Sequence, residues 1–319
     1  MIALVIAVQI ALPLALLLWL ALFPAANRLG LFLQTAGIGA TVLALALVSQ
    51  WALTAWWLPW LYGTLWLSST LTLPARRHWS SMPSTPRSVV RWLPVFVSLF
   101  LLGAGSWYGI KAVSGRFMPK AATVDIVNPF GPGTYMVGHG GSNTLVNGHL
   151  KTLDLNTERF RPWRGQSYAV DFFGVGPWGF RAAGFQPGDP ADYAIFGARL
   201  HAPCTGEVIA AEGRMPDFRV PEQDMVNRLG NHVILRCDDA DIVLAHMRQN
   251  RVTVSPGDTV TVGSLLGEVG NSGASTEPHL HIHAQRPPPA GAPPIAGEPL
   301  ALRIDGRFLI RNDRLSGRE

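Results

Sequence analysis

The sequence predicts two solvents for one chain: an N-terminal α-helical transmembrane region of about four spans, followed by an all-β antiparallel domain with a groove. Three observations predict it. Residues 1–120 contain eight Lys or Arg and no Asp or Glu, whereas the remaining 199 residues hold 18 basic and 21 acidic residues, a net charge of −3. Nine of the eleven Trp precede residue 110. From Asp125 onward, short apolar runs separated by Gly, Pro, Asn and Asp replace long ones. The overall charge of +5 therefore belongs to the front end and gives no footprint for nucleic acid.

Residues 3–22 (ALVIAVQIALPLALLLWLAL) carry no charge and can cross a hydrocarbon core, which takes about 20 helical residues. The run lacks the basic start of a cleavable signal peptide and leads into more apolar sequence, so it reads as an anchor. Residues 31–73 are also uncharged and have the length of a helical hairpin turning near Ser49–Trp51, with spans over 31–50 and 52–73. If that stretch only dips in and returns, the count is three. Residues 93–110 supply the last span. Arg28, Arg76, Arg77, Arg87 and Arg91 favour a cytoplasmic side for the loops that hold them, against Lys111, Arg116 and Lys120 after the last span. Everything after residue 120 is then outside the cytoplasm. Trp56, Trp57, Trp60, Trp92 and Trp107 suit interfacial anchoring. Beyond Gln9, Gln34 and scattered Ser or Thr the spans hold no polar residues, which points to an anchor or a platform for membrane partners rather than a transport path.

The second region, 121–319, shows evenly spaced strand signals: QSYAVDFF (166–173), TGEVIAAE (205–212), NHVILRC (231–237), DIVLAHM (241–247) and LLGEVG (265–270). The Pro-rich stretch 286–299 cannot be a central strand, and a last short strand is expected near 301–310. Cys204 and Cys237 lie on or beside neighbouring strands. In an oxidising compartment they can pair, for roughly 3–4 kcal/mol on the loop-entropy account.

The chemistry concentrates in EPHLHIHAQ (277–285), where His279, His281 and His283 alternate and so share one strand face. His279 and His283 stand about 13 Å apart along an extended backbone, so one ion takes at most two neighbouring members of the trio. Asp171 is the lone carboxylate of an apolar strand and needs a partner if buried. Zinc, held by imidazole and carboxylate with one place left open, would supply that partner.

The stretch LAHMRQNRVTVSPGDTVTVGSLLGEVGNSGASTEPHLHIH (244–283) resembles the carboxy-terminal part of the lysostaphin-type, LytM-like zinc endopeptidases. HAPCTGEVIAA and LGNHVIL upstream resemble further motifs of that family in the same order, so the likeness runs over about residues 130–285. The resemblance implies one Zn2+ per domain and hydrolysis of peptidoglycan peptide cross-links, with the domain facing the periplasm or cell wall from the bacterial inner membrane. It makes Asp171 and His281 metal ligands and His246 and His279 catalytic imidazoles. The family's usual first ligand, four residues before the aspartate, is Ser167 here. The pattern HGGSNTLVNGHL…SYAVDFF resembles instead a variant whose first ligand lies far upstream, which makes His149 the choice and His139 the alternative. His283 stands where many relatives carry Glu and reads as a lining residue behind the ligands. His201 and His232 read as packing residues. A metal-free wall-binding module that activates another hydrolase is the other class the resemblance allows. No His-Glu-x-x-His helix is present, and the lipoyl-like hairpin reading fails because Lys151 is the only lysine after residue 120.

Overall fold

An uncharged apolar run satisfies its own backbone in lipid only as a helix, and the first unit of the chain, Met1–Ser114, is helical. The computed structural model describes residues 2–77 and 81–318. Helices α1 (Ile2–Ile6) and α2 (Leu12–Leu22) are joined by a π-helical turn, Ala7–Ala11. Pro13 has no N–H for the carbonyl four residues back, that of Gln9, which instead accepts from Tyr62 Oη at 2.9 Å. The Gln9 side chain donates to Gln50 O (3.2 Å) and accepts from Thr54 Oγ1 (2.8 Å). Asn27 caps α3 (Arg28–Val48) by accepting from Gly30 N at 2.7 Å. Helices α4 (Leu58–Arg77) and α5 (Leu93–Ser114) follow. A Cβ at Gly37 would meet Ser98 O at 2.4 Å, and one at Gly105 the Ala40 backbone at 2.7 Å, so small residues let α3 and α5 touch.

Three helices among the described residues are long and apolar enough to cross a membrane: Ala3–Leu22, Arg28–Val48 and Val89–Ser114. The expected span at 52–73 becomes a 3-10 turn, Trp51–Leu53, and then α4, whose Ser, Thr and terminal Arg residues leave it less apolar. Three is thus the count the helices support, in place of four. The expected loop 74–92 begins inside α4 and includes residues 78–80, which lie outside the described residues.

The second unit, Gly115–Glu319, is built on strands β1 (Thr123–Ile126), β2 (Thr134–His139), β3 (Val170–Gly174), β4 (Arg199–His201), β5 (Gly206–Glu212), β6 (Asn231–Cys237), β7 (Ala240–Met247), β8 (Thr259–Val260), β9 (Leu265–Glu268), β10 (Leu280–Gln285), β11 (Pro299–Ile304) and β12 (Arg314–Ser316). Ten form one sheet in the order β12-β2-β3-β10-β7-β6-β5-β8, with β11 beside β10 and β1 beside β11; β4 and β9 form a separate pair. All pairings are antiparallel except β1 with β11.

Period-2 alternation decides which face carries the core. Val170 and Phe172 of β3, and Leu280, Ile282 and Ala284 of β10, enter the main apolar cluster with Val233, Leu235, Ile242 and Leu244. Asp171, His281, His283 and Gln285 therefore take the opposite face, yet they are buried as well. The Pro-rich stretch folds over that face: Gln285 Nε2 donates to Pro294 O (2.7 Å), and Gly165 N to Ile295 O (2.8 Å).

Two strand expectations shift. Residues 166–168 close a 3-10 segment, Glu158–Tyr168, because Pro162 and the Gly165–Ile295 bond hold that backbone away from the ladder, so β3 starts only at Val170. The last strand, expected near 301–310, is β11, which stops at Ile304 because the chain turns at Asp305 and Gly306, both at positive φ, and a further strand, β12, follows at Arg314. Cys204, just before β5, and Cys237, at the end of β6, are joined as a disulfide with Cα atoms 6.1 Å apart.

Candidate metal centre

Strand register makes the first contact of the site. His281 lies directly across from Asp171 in the β10–β3 pair and across from Ala245 in the β10–β7 pair. His281 Nδ1 is 2.9 Å from Asp171 Oδ1. His149 Nε2 is 2.8 Å from Asp171 Oδ2. One nitrogen from each imidazole and a carboxylate oxygen all lie within 4.8 Å of one another.

His149 reaches this point from a 3-10 segment, Gly148–Leu153, and the Asn-x-His spacing has a physical cause. Asn147 Oδ1 accepts from His149 N (3.1 Å), while its Nδ2 donates to Gly141 O (3.2 Å) and to Ala169 O (3.1 Å), the residue before β3. The amide thus ties the turn that carries His149 to the strand that carries Asp171. Ser167, at the usual ligand place, is fully buried and donates to Arg164 O at 2.6 Å. His139 is not in the convergent group. Its Nδ1 accepts from Gly148 N (3.1 Å), and its ring meets the His149 ring edge-on at 5.5 Å, so it buttresses His149. Burial pushes His139 down to about 4.

The remaining imidazoles surround the trio. His246, at the end of β7, has φ 64 and is bracketed by His246 N to Leu229 O and Gly270 N to His246 O, both 3.0 Å. A non-glycine residue held in that region costs about 1–3 kcal/mol, and such positions gather at functional sites. His246 Nδ1 faces Ser272 O at 2.9 Å, and His279 Nδ1 faces Glu277 O at 2.9 Å. A carbonyl only accepts, so these contacts favour the proton on each Nδ1, which leaves a bare Nε2 in the neutral ring; Ser275 Oγ also lies 3.1 Å from His279 Nδ1. The two rings lie 4.7 Å apart, with His246 5.8 Å from His281. His281 Nε2 is 3.0 Å from His283 Nδ1, and His283 Nε2 is buried with no hydrogen-bond partner among the described residues. His201 on β4 and His232, whose Nδ1 bonds Gly230 O at 2.7 Å, stand outside the group.

Burial lowers His281, and it holds His246 and His283 well below the ordinary imidazole value, neighbouring histidines adding to the effect. Burial alone would raise the Asp171 carboxyl. Attraction to His149 and hydrogen bonds from His149 and His281 outweigh it and keep Asp171 well below the usual carboxylate range. A lowered His281 and an ionised Asp171 suit a divalent cation, which needs its ligands deprotonated. The donor set, two nitrogens and one oxygen, fits zinc, and the contact of His281 Nε2 with His283 supplies the supporting bond that ligand imidazoles ordinarily make.

The profile of Peptidase family M23 matches residues 191–293, which include His246, His279, His281 and His283. That stretch is an M23 peptidase domain. Solved structures similar to it include lysostaphin in solution, at 22% identity over 39% of this chain and 38% of that one, with a TM-score of 0.25. A second is the catalytic domain of lysostaphin from Staphylococcus simulans, at 20% identity over 50% and 79%, with a TM-score of 0.25. A third is a mutant catalytic domain of the prophage-encoded M23 protein EnpA from Enterococcus faecalis, at 30% identity over 32% and 74%, with a TM-score of 0.19. This chain therefore spans 38% of the lysostaphin chain solved in solution. No curated protein matches it.

Arg181, Ser272, Ser275 and Glu277 were not singled out by the sequence. They act through backbone carbonyls and a buried ion pair, for which residue type and spacing give no signal.

Proposed function

We propose that this M23 peptidase is a membrane-anchored zinc metalloendopeptidase that hydrolyses peptide cross-links of peptidoglycan outside the cytoplasm. The observation that carries the reading is the convergence of His149, Asp171 and His281 beside two imidazoles whose Nε2 atoms are bare. His149 Nε2, Asp171 and His281 Nδ1 would hold the ion. When bound, zinc supplies Lewis acidity for a scissile carbonyl and acidifies water.

The rest is work for this chain's own groups. Low intrinsic basicity keeps His246 neutral, so its Nε2 is ready to accept a proton as attack on the peptide begins. His279, with its proton on Nδ1, offers a second bare Nε2 beside it. Whichever ring has taken a proton can donate a hydrogen bond to the oxyanion or to the departing amine. Asp171 stays ionised, so a dication bound by one carboxylate and neutral imidazoles leaves a local charge of about +1, which favours an oxyanion. The apolar helices Ala3–Leu22, Arg28–Val48 and Val89–Ser114 support an anchor that keeps cleavage near the bilayer, and the disulfide supports an oxidising compartment.

The test is the full chain in detergent incubated with peptidoglycan, with and without a chelator, and the muropeptides resolved. Cross-linked muropeptides should fall in the untreated sample, persist with chelator and fall again once zinc is restored. Identical profiles in every arm would refute the enzyme and leave a wall-binding module.

A further inference from the structure

A fully buried ion pair lies outside the ligand group. Arg181 Nε donates to Glu277 Oε1 (3.1 Å) and Oε2 (3.0 Å), and Nη2 donates to Glu277 Oε2 (2.8 Å). The side chains are only 5% and 3% exposed. Buried pairs of this kind are a poor device for stability alone, since apolar residues of similar volume serve as well or better. What the pair holds is therefore informative. Glu277 is two residues before His279, and its carbonyl oxygen faces His279 Nδ1 at 2.9 Å, with the Ser275 hydroxyl 2.8 Å from that carbonyl, 2.8 Å from Asn271 Oδ1 and 3.1 Å from His279 Nδ1. Arg181 comes from the β3–β4 connection and is itself braced: Nη2 donates to Phe185 O (3.1 Å), and Ala194 N donates to Arg181 O (2.8 Å). Phe173 of β3 stacks on the His279 ring at 5.7 Å.

We infer that the Arg181–Glu277 pair is a positioning device for His279. It pins the carbonyl that fixes which nitrogen of that ring carries the proton and how the ring is turned. Arg181 and Glu277 are positioning residues; neither belongs to the ligand group. The inference deepens the peptidase reading and rests on it for its catalytic consequence, while the ring state itself is independent of hydrolysis.

The experiment uses the full chain in detergent, labelled with ¹⁵N at histidine and stripped of metal by chelator. In the unaltered protein the His279 ring should show a single tautomer with the proton on Nδ1. Arg181→Met combined with Glu277→Met replaces the pair by apolar side chains, which preserves folding. In that variant the His279 signals should shift towards a tautomer mixture, while zinc affinity stays within about twofold. With peptidoglycan, kcat should fall about tenfold or more with KM within about twofold, as expected when a reacting group is misplaced rather than removed. Arg181→Lys keeps the charge without the planar fork and should lie between the two. A folded double variant with unaltered His279 signals and kcat would overturn the inference. If that variant fails to fold, Arg181→Lys, which loosens the hold on the Glu277 carboxylate, should still shift the His279 signals part of the way, and no shift would equally overturn it. Should the unaltered chain fail to cleave peptidoglycan, the peptidase reading falls and the ring signals alone decide the positioning role.

Discussion

The two units bury polar groups of different kinds. In the helical unit, Gln9 and Gln34 are buried but satisfied: Gln9 by Gln50 O and Thr54, Gln34 by Ala25 N (2.8 Å) and Phe23 O (3.3 Å). In the peptidase unit, Asp171, His246, His281 and His283 are buried in one cluster, and His283 Nε2 has no hydrogen-bond partner among the described residues. A satisfied polar group in a dry interior is architecture. A crowd of titratable groups held off their usual protonation is chemistry in waiting.

The largest effect should come from breaking the crowd at its centre. Asp171→Asn keeps the shape and removes the charge that faces His149 and His281. It should abolish stoichiometric zinc binding and lower peptidoglycan cleavage by about 10³-fold or more. Metal analysis of the purified variant and muropeptide profiles check it, and a zinc-loaded variant with near-normal cleavage would sink the ligand assignment.

Acid should separate the units next. His139 has its pKa lowered by burial to about 4, against 6.5 in an unfolded chain, and His246, His281 and His283 are lowered too. Between pH 6.5 and about 4 the unfolded chain binds a proton at His139 that the folded one does not. Its stabilising effect is whole above pH 6.5 and is lost as pH falls, at about 1.4 kcal/mol per pH unit for each such group. Asp171, lowered rather than raised, adds a loss in the same direction once pH passes below its unfolded value of about 3.8. Residues 1–114 contain no Asp or Glu and one His. In the chelated full chain, urea unfolding of the peptidase unit should therefore shift to lower urea between pH 7 and 5 while the helical signal holds. Equal shifts in both units would dissolve the contrast.

Much of this was legible in the sequence, and what escaped has physical causes. Alternation along LHIHAQ and VDFF places His281 and Asp171 on the non-core face, and the charge asymmetry separates the units. The span count came out high because residues 52–73 look apolar as a run, whereas the helix forms later and takes in two Arg. His149 could be chosen over His139 only through the resemblance. The reason, Asn147 bridging Gly141 and Ala169, is a contact across 22 residues that no local pattern encodes. The roles of Ser272 and Glu277 rest on carbonyl oxygens, which every residue possesses.

A subtler change sharpens the comparison at His283. With zinc on His281 Nδ1, the Nε2 proton of His281 can be accepted by His283 Nδ1 only if the His283 proton sits on Nε2, where no partner meets it among the described residues. His283→Ala should weaken zinc binding about 10–100-fold, the usual cost of losing support behind a ligand imidazole. His283→Glu, which places an acceptor there without the orphaned donor, should restore binding to at least the original affinity. Zinc competition titrations with a chromogenic chelator check both, and an Ala variant of unaltered affinity would show that His281 needs no such support.

The smallest effect belongs to the helical unit. Gln9→Leu removes the acceptor of Thr54 Oγ1 and the donor to Gln50 O but leaves the Gln9 carbonyl for Tyr62. Interhelical hydrogen bonds in membranes average about 0.6 kcal/mol, because the separated helices find other partners. Thermal unfolding of the helices in detergent should move by that order, and cleavage by the peptidase unit should stay unchanged, since no group of the metal centre belongs to residues 1–114. If Gln9→Leu instead abolished cleavage in folded protein, the helical unit would be more than an anchor, and the division between architecture and chemistry would no longer follow the division between the units.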